Sequence, residues 1–412
     1  MPQPPPIVAA HYAEIALKGG NRAAFLRRLK NNIGLALKGE PVTALNHVES
    51  RLLIRLGEAE RAEAVARKLQ RVFGLQWLSI ATPVPRAALA DGLGPLCETA
   101  AALARRDIGG ARTFKVDTRR SDQRFPIPSP EVNRVVGAAV NDAIGLPVRL
   151  NGPDFTVHVL ILNDAALVFT RRLPGQGGLP AGTGGRVMAL MSGGIDSPAA
   201  AFLLMKRGCR CDFVHFYTGR AAAEADAGKI RRLVAILRGY APTALHLYLV
   251  PSYPYESRAI GAVDDPHDMV MFRRYMLRTA QRLAKRASCQ ALATGDSLGQ
   301  VASQTIFNLR AIGQDCDLPV FRPLIGFDKL EIAALARAVG TFDVSVEPYR
   351  DCCSLRSPHP VLRARPDAVK ELSLEMDLEA AVEEALRAAA RVVVDEAEFP
   401  PSGPANLLRE RK

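Results

Sequence analysis

The stretch Met188-Ala189-Leu190-Met191-Ser192-Gly193-Gly194-Ile195-Asp196-Ser197-Pro198 decides the fold. Its apolar start predicts a buried strand, its glycine pair a tight turn, and the alanine-rich segment after it a helix. Such a turn points free backbone N–H groups and a helix dipole at one spot, which favours a phosphate. Ser192 and Ser197 add hydroxyl donors, while Gly193 and Gly194 allow close backbone approach. The alternative is an ordinary tight turn, and no Gly-Lys-Ser/Thr ending of the Walker type follows.

Size and composition predict a globular protein. A chain of 412 residues has room for two or three domains. No apolar run approaches the ~20 residues that span a bilayer, and the first residues lack a signal-peptide pattern, so we expect a cytoplasmic protein. Seven cysteines, an odd number, argue against a disulfide scaffold. The scattered histidines lack the spacing of a zinc site.

Positive charge is concentrated near the start of the chain. Of the net charge of +12, nine units lie within residues 1–172. A basic region beside a nucleotide-type region favours a polyanionic partner, and nucleic acid is the natural candidate. The alternative is a generally arginine-rich composition.

The pattern along the chain predicts five segments. We expect an α+β unit over 1–60, a second unit over 61–172, a glycine- and proline-rich linker over 173–185, and alternating strands and helices over 186–365. A terminal helix over 366–395 and a tail to residue 412 complete the chain. The alternation predicts a doubly wound parallel α/β sheet, whose ligands bind at the carboxyl ends of the strands.

Two basic loops in the first two units are candidates for RNA contacts. One carries glycines and lies before a helix that Asn21 could cap. The other places arginines beside an aromatic ring, a combination that suits RNA backbone and bases. Solvated surface loops are the alternative for both. The candidate residues are Lys18, Asn21, Arg22, Arg119, Arg120, Arg124 and Phe125.

Three further features of the α/β region could contact a nucleotide. Asp196 could hold Mg²⁺ through its carboxylate, or simply interact with the helix dipole. Arg273 and Arg274 could reach phosphates, one of them being a solvated helix charge. Residues 295–304 predict another strand, turn and helix, with Ser297 as the cap. The amides of this turn and Gln304 could read an adenine or a ribose.

Cys352 and Cys353 form a vicinal pair in what we expect to be an exposed loop after the last α/β helix. Neighbouring Arg350 would favour a thiolate. We interpret the pair as a sulfur-handling nucleophile, because a persulfide there could deliver sulfur to an activated carbon. The alternative is two small buried hydrophobic side chains.

Together, these residues resemble the tRNA 4-thiouridine synthetases, a tRNA sulfurtransferase family associated with tRNA thiolation and thiamine biosynthesis. The loop by itself resembles the pyrophosphate loop of ATP pyrophosphatases. The resemblance extends from about Ile7 to Pro360 and rests on seven stretches in order. They are Glu14–Arg22, Arg120–Pro126, Gly177–Pro180, Leu190–Pro198, Gly295–Gln304, Pro323–Lys329 and Tyr349–Cys353.

The resemblance implies a ferredoxin-like domain, a THUMP domain and an ATP pyrophosphatase domain. It implies that the first two grip tRNA, while the third uses ATP to adenylate a uridine at its C4 oxygen. The sulfur-handling cysteine maps to Cys352, with Cys353 as the alternative. The family's ATP contacts map to Leu190, Met191, His215, Phe216, Arg273, Gly295 and Gln304.

One departure concerns the sulfur donor. Many family members carry a C-terminal rhodanese domain, and the 47 residues after Arg365 leave no room for one. We therefore expect sulfur from a cysteine desulfurase or a separate carrier, and a thiazole-forming role for thiamine is in doubt. The resemblance also implies a homodimer. The alternative functions are a small-molecule adenylating amide ligase and a non-catalytic RNA-binding protein.

Overall fold

The computed structural model describes residues 5–218, 228–349, 352 and 359–397. The chain divides into two compact units, Met1–Gly177 and Gly178–Lys412. Each unit combines a sheet with packed helices, and the second contains the parallel α/β sheet that the sequence predicts. No helix among the described residues is long and apolar enough to cross a membrane.

The amino-terminal unit is built on one sheet with the strand order β2-β3-β1-β4-β7-β6-β5, and β8 pairs with β4. Every pairing in it is antiparallel except β5 with β6. The elements are β1 (Ile7–His11), α1 (Arg22–Ala36), β2 (Val42–Val48), β3 (Arg51–Leu56), α2 (Ala62–Leu69), β4 (Trp77–Pro85), α3 (Gly94–Asp107), β5 (Phe114–Arg120), α4 (Ser129–Ile144), β6 (Phe155–Ile161), β7 (Ala165–Phe169) and β8 (Leu173–Pro174).

The long strand β4 contributes to both helix-covered hydrophobic cores of this unit and to a third core of strand residues. Its first half pairs with β1 and its second half with β7. Helices α1 and α2 pack with β1 and β3 in one core, and α3 and α4 pack with β5 to β7 in the other. A third core, formed by strand residues, includes Ala81 of β4 and joins β1 and β3 to β6 and β7. Asn21 precedes α1, but its side chain makes no capping hydrogen bond.

The carboxyl-terminal unit is built on a second sheet with the strand order β13-β12-β9-β10-β11-β14. The elements are β9 (Arg186–Leu190), α5 (Asp196–Lys206), β10 (Arg210–Tyr217), α6 (Gly228–Arg238), β11 (Leu245–Pro251), α7 (Tyr253–Ala259), α8 (Asp265–Arg286), β12 (Ala291–Ala293), α9 (Ile306–Gly313), β13 (Val320–Phe321), α10 (Lys329–Val339), α11 (Phe342–Ser345), α12 (Pro366–Glu375), α13 (Leu378–Ala388) and β14 (Ala390–Val394).

Pairing in this sheet is parallel from β13 to β11, and β14 adds an antiparallel edge. The expected single helix over 366–395 is wrong. Asp377 adopts a positive φ of 52°, its side chain caps α13, and the chain then continues as β14. The polypeptide thus breaks one predicted helix into two helices and a strand, because a left-handed residue cannot continue a helix.

The helix expected from Ser297 is also wrong. Gly299 has a φ of +73°, and α9 begins only at Ile306, where the Thr305 hydroxyl accepts a hydrogen bond from the Asn308 N–H. Ser297 instead donates its hydroxyl to the Phe327 carbonyl at 2.7 Å. The segment between β12 and α9 is therefore an extended loop at the carboxyl end of the sheet.

Candidate active site

The loop after β9 is shaped by its own serines. The Ser197 hydroxyl accepts a hydrogen bond from the Ser192 N–H at 2.9 Å and lies 3.1 Å from the Ser192 hydroxyl. Gly194 is exposed, and α5 begins at Asp196. The predicted strand, glycine turn and helix are present, so the first amides of α5 face the open end of the sheet, where an anion is favoured.

A second glycine loop touches the first. A Cβ at Gly295 would lie 2.8 Å from the Ser197 nitrogen, so only glycine fits where the β12 loop crosses the start of α5. The two loops thereby form adjoining walls of one site. This contact is tertiary, and no spacing in the sequence indicates it.

Asp196 faces two polar side chains that the sequence reasoning did not assign to the site. Lys329 Nζ lies 3.1 Å from Asp196 Oδ1, and Gln300 Nε2 donates to Oδ2 at 3.1 Å. Lys329 begins α10, within the Pro323–Lys329 stretch, which could have identified it. Its cation lies at the phosphate end of the site, where a triphosphate would carry negative charge.

A cavity of about 500 Å³ lies at the carboxyl ends of the parallel strands. Its wall combines both glycine loops, the ends of β9 and β10, and Cys352. Met276, Leu277 and Ile312 add an apolar surface that suits a base. Of the predicted site residues it brings together Leu190, Met191, Ser192, Asp196, Ser197, His215, Phe216, Arg273, Gly295, Gln304 and Cys352.

Asp296 organises the charged side of this cavity. It is 2% exposed, and its carboxylate accepts hydrogen bonds from Arg273 and, at 3.2 Å, from Arg322. Burial opposes ionisation of Asp296, but Arg273, Thr294 and Arg322 outweigh it and hold its pKa below the usual value. The Gln304 amide nitrogen lies 3.4 Å from the same carboxylate. Asp296 therefore orients both predicted ATP contacts.

Arg274 differs from what the sequence predicts. Neither arginine is a solvated helix charge, because Arg274 is 3% exposed and the Arg273 side chain is 14% exposed. It pairs with Asp315 at 2.8 Å and donates to the carbonyls of Ala311 and Gln314. Arg274 thus supports the packing of α8 against α9, while Arg273 faces the cavity.

Cys352 lies in the wall of the cavity and is 2% exposed, so the expected exposed thiol loop is wrong at this residue. Its Sγ donates to the Phe216 carbonyl at 2.9 Å. Cys352 is also part of the hydrophobic core, as the alternative of a small buried side chain predicts, and it shares the cavity with the phosphate loop. Cys353 and Arg350 lie outside the described residues.

The amino-terminal unit carries a basic and aromatic pocket of about 210 Å³. His11 stacks on Trp77 with ring centroids 3.5 Å apart, and the Arg172 guanidinium lies 4.6 Å from the Trp77 ring. Burial and nearby Arg51 lower the pKa of His11 to about 3, so this ring is neutral at pH 7. The predicted RNA contact Arg119 also lines the pocket, whereas the sequence reasoning missed Trp77 and Arg172.

The other predicted RNA contacts are in two groups. The first group lies in the Glu14–Arg22 loop, where Lys18 pairs with Glu14 at 3.4 Å and Arg22 donates to the Tyr12 hydroxyl at 2.8 Å. The second group lies in the Arg120–Pro126 loop. Arg124 is exposed and pairs with Asp122. Arg120 instead donates to the Phe125 carbonyl at 2.9 Å and holds its own loop.

Phe125 is not available to stack on a base. It is 3% exposed and packs in the core beside Val132 and Val136, with Arg86 over its ring at 4.0 Å. The prediction of a stacking role is therefore wrong for this structure. A single aromatic side chain in a basic loop has the same sequence pattern whether it faces solvent or anchors the loop.

Metal-binding side chains are sparse. Among the described residues, no cluster of three or more His, Cys, Asp or Glu side chains could hold a metal ion. Asp196 offers one carboxylate at the phosphate end of the cavity. This arrangement fits Mg²⁺, which is commonly bound by one or two carboxylates together with substrate phosphates.

Comparisons with known proteins give one consistent result. Residues 182–378 match the family described as thiamine biosynthesis protein (ThiI), residues 7–79 its ferredoxin-like domain, and residues 94–171 the THUMP domain. The chain is 42% identical over 371 residues to a protein of Thermus thermophilus named as a tRNA sulfurtransferase, covering 89% of each chain. It is 36% identical over 391 residues to a protein of that name from Geobacillus kaustophilus, covering 94% of this chain and 96% of the relative.

A solved structure is also similar. It is described as a 4-thiouridine synthetase–RNA complex with bound ATP, and it is 32% identical to this chain. The TM-score is 0.85, with 95% of this chain and 100% of that chain covered. The likeness therefore extends over both units.

Proposed function

Because the chain belongs to the ThiI family of tRNA sulfurtransferases, we propose that it uses ATP to replace the C4 oxygen of a tRNA uridine with sulfur, giving 4-thiouridine. The observation that carries the proposal is the single cavity shared by the Ser192–Asp196 loop and Cys352. One site can thus activate an oxygen and present a thiol to the same carbon. A small-molecule ligase would need neither this thiol nor the basic amino-terminal unit.

The phosphate loop would hold the β- and γ-phosphates and leave the α-phosphate open to the uridine oxygen. Amides of the Gly193–Gly194 turn, Ser192 and the start of α5 supply the donors. Lys329 adds a cation, and Asp196 would hold Mg²⁺, which when bound neutralises phosphate charge. The adenine would contact the apolar wall between Leu190 and Phe216, with Arg273 and Gln304 held in place by Asp296.

The sulfur step would use Cys352 or Cys353 as a persulfide. Attack of the uridine oxygen on the α-phosphate releases pyrophosphate and makes AMP the leaving group at C4. The terminal persulfide sulfur then bonds C4, and the bond from C4 to the AMP oxygen breaks. A second thiol then attacks the cysteine sulfur and forms a disulfide with it, while the electron pair of the broken sulfur–sulfur bond stays on the sulfur now bonded to C4. A cysteine desulfurase or a separate carrier would load the persulfide.

The amino-terminal unit would bind the tRNA. Its basic residues supply phosphate contacts, and the pocket of Trp77, Arg119 and Arg172 offers a ring and cations to an unpaired nucleotide. Lys18, Arg22 and Arg124 would extend the phosphate-binding surface. Such binding weakens steeply with salt.

Mass spectrometry of tRNA tests the proposal. After incubation with ATP, unmodified tRNA and a persulfide-loaded desulfurase, the wild-type protein should give a sulfur-for-oxygen mass gain on one uridine. Cys352→Ser and Cys353→Ser, tested singly, identify the sulfur carrier, and Cys97→Ser in the other unit is the matched control. ATP cleavage with no sulfur in tRNA would exclude the proposed function.

A further inference from the structure

Tyr349 contacts both the phosphate loop and the end of β10, the strand that Cys352 also contacts. Its hydroxyl is 2.7 Å from His215 Nε2. Its ring covers Gly193 so closely that a Cβ on that glycine would lie 2.6 Å from Tyr349 Cδ1. One side chain therefore contacts the anion-binding turn and the end of β10 together.

The hydrogen bond to His215 has a defined direction. His215 is 1% exposed, and its Nδ1 lies 2.8 Å from the Met191 carbonyl, which can only accept. Nδ1 therefore carries a hydrogen, and in the neutral form of the ring Nε2 accepts a hydrogen bond from the Tyr349 hydroxyl. Met191 directly precedes the phosphate loop, so the tyrosine is linked to that loop on two sides.

Cys352 contacts β10, the same strand that Tyr349 contacts. Its Sγ donates to the carbonyl of Phe216, which follows His215 in β10. Tyr349 and Cys352 thus contact two consecutive residues of one strand. A shift of either contact would change the distance between the thiol and the phosphate loop.

We propose that Tyr349 is a positioning residue that couples nucleotide occupancy of the Gly193 loop to the placement of the Cys352 thiol. This inference rests on the proposed function, because the position of the thiol matters for activity only if Cys352 takes part in sulfur transfer. It does not need that function for its test, because thiol placement can be measured without sulfur transfer. A triphosphate that orders the Gly193 turn also orders the tyrosine ring against it, and the hydroxyl passes this restraint to β10.

Alkylation of Cys352 by iodoacetamide, followed by peptide mass spectrometry, tests the coupling. A Cys353→Ser background isolates the one thiol. In the parent, saturating ATP should slow alkylation about fivefold or more. In Tyr349→Phe, which keeps the ring and removes the hydroxyl, the rate without ATP should rise about threefold to tenfold, as expected for the loss of one hydrogen bond. The effect of ATP should fall below about twofold.

Two measurements exclude trivial explanations. ATP affinity, determined by equilibrium dialysis, ensures that each variant is saturated. Tyr240→Phe is the matched control, because its hydroxyl donates to the Val339 carbonyl at 3.1 Å in the same unit, away from the cavity. It should keep the parent's ATP effect. Equal protection by ATP in Tyr349→Phe and the parent would overturn the proposal, since ATP would then shield the thiol directly.

A second readout concerns turnover. With a persulfide donor and with Cys353 left in place, Tyr349→Phe should release pyrophosphate within about twofold of the wild-type rate but incorporate several-fold less sulfur per AMP formed. A parallel fall in both would contradict a positioning role at the thiol. If the wild-type protein makes no 4-thiouridine at all, the proposed function fails, while the alkylation result still decides the coupling.

Discussion

The two units use arginine in different ways. In the carboxyl-terminal unit, Arg273 and Arg322 share the buried carboxylate of Asp296 at the cavity. In the amino-terminal unit, exposed Arg172 lies over the Trp77 ring beside exposed Arg119. Neutralised buried charge fixes the geometry of a site, whereas exposed cations on an aromatic surface remain able to bind phosphates. The same residue type thus shapes a catalytic cavity in one unit and a binding surface in the other.

The largest expected effect is on stability of the carboxyl-terminal unit. Asp296→Asn leaves Arg273 and Arg322 without their buried counter-charge, so the free energy of unfolding should fall by about 3–5 kcal/mol. Urea unfolding, with hydrogen exchange of the β12 amides as the local probe, measures it. Asp317→Asn breaks an exposed pair with Lys285 and serves as the control, for which we expect little change.

The difference in stability between wild type and Asp296→Asn should depend on pH. Because the folded pKa of Asp296 lies below its unfolded value, the carboxylate stabilises the fold above about pH 4. That stabilisation is lost as the pH falls through the lower, folded pKa. The stability gap between wild type and Asp296→Asn should therefore narrow in acid. A gap that stays constant from neutral pH to strong acid would contradict the ion-pair explanation.

The next largest effect separates catalysis from binding. Asp196→Asn removes the carboxylate that would hold Mg²⁺, and AMP formation should fall about a hundredfold or more, since a bound metal ion contributes several kcal/mol. Affinity for tRNA should stay within about twofold, as measured by filter binding. Asp343→Asn, an exposed acid on α11, is the control. Weakened tRNA binding by Asp196→Asn would contradict the assignment of catalysis to the carboxyl-terminal unit and of tRNA binding to the amino-terminal unit.

A smaller effect is expected on the binding surface. Arg172→Gln should weaken tRNA binding several-fold and reduce the slope of log affinity against log salt by about one unit. Binding titrations at several salt concentrations measure both. Arg337→Gln makes the same charge change in the other unit, where its guanidinium stacks on Phe342. Equal effects of the two variants would mean that net charge, not this pocket, binds the tRNA.

The smallest expected effect concerns Phe125, a predicted RNA contact that lies in a hydrophobic core. Phe125→Leu should lower the free energy of unfolding by about 1–1.5 kcal/mol, as expected for a conservative change in a core, with no change in tRNA affinity. Chemical unfolding and filter binding give the two values. Loss of affinity at unchanged stability would restore a stacking role for this ring.

Local patterns predicted the parts of the site that are contiguous in sequence. Ser192 to Ser197 form the expected loop because an apolar strand, two glycines and a helix start are all encoded within a few residues. His215, Arg273 and Gln304 were placed through resemblance to a family, and the fold brings them to the same cavity. Lys329 and Tyr349 were not assigned to the site, since their partners are more than a hundred residues away.

The sequence by itself determined the α/β order, the phosphate loop, the basic first half and the presence of a thiol after the last α/β helix. The alternation of side chains along a strand, the glycine turns and the local charge depend on neighbouring residues, so the sequence alone is enough to predict them. Only the tertiary structure decided that Cys352 is buried at Phe216, that Phe125 is core, and that Asp296 neutralises two arginines. Burial and ion pairing depend on which distant segments meet, and that is set by packing.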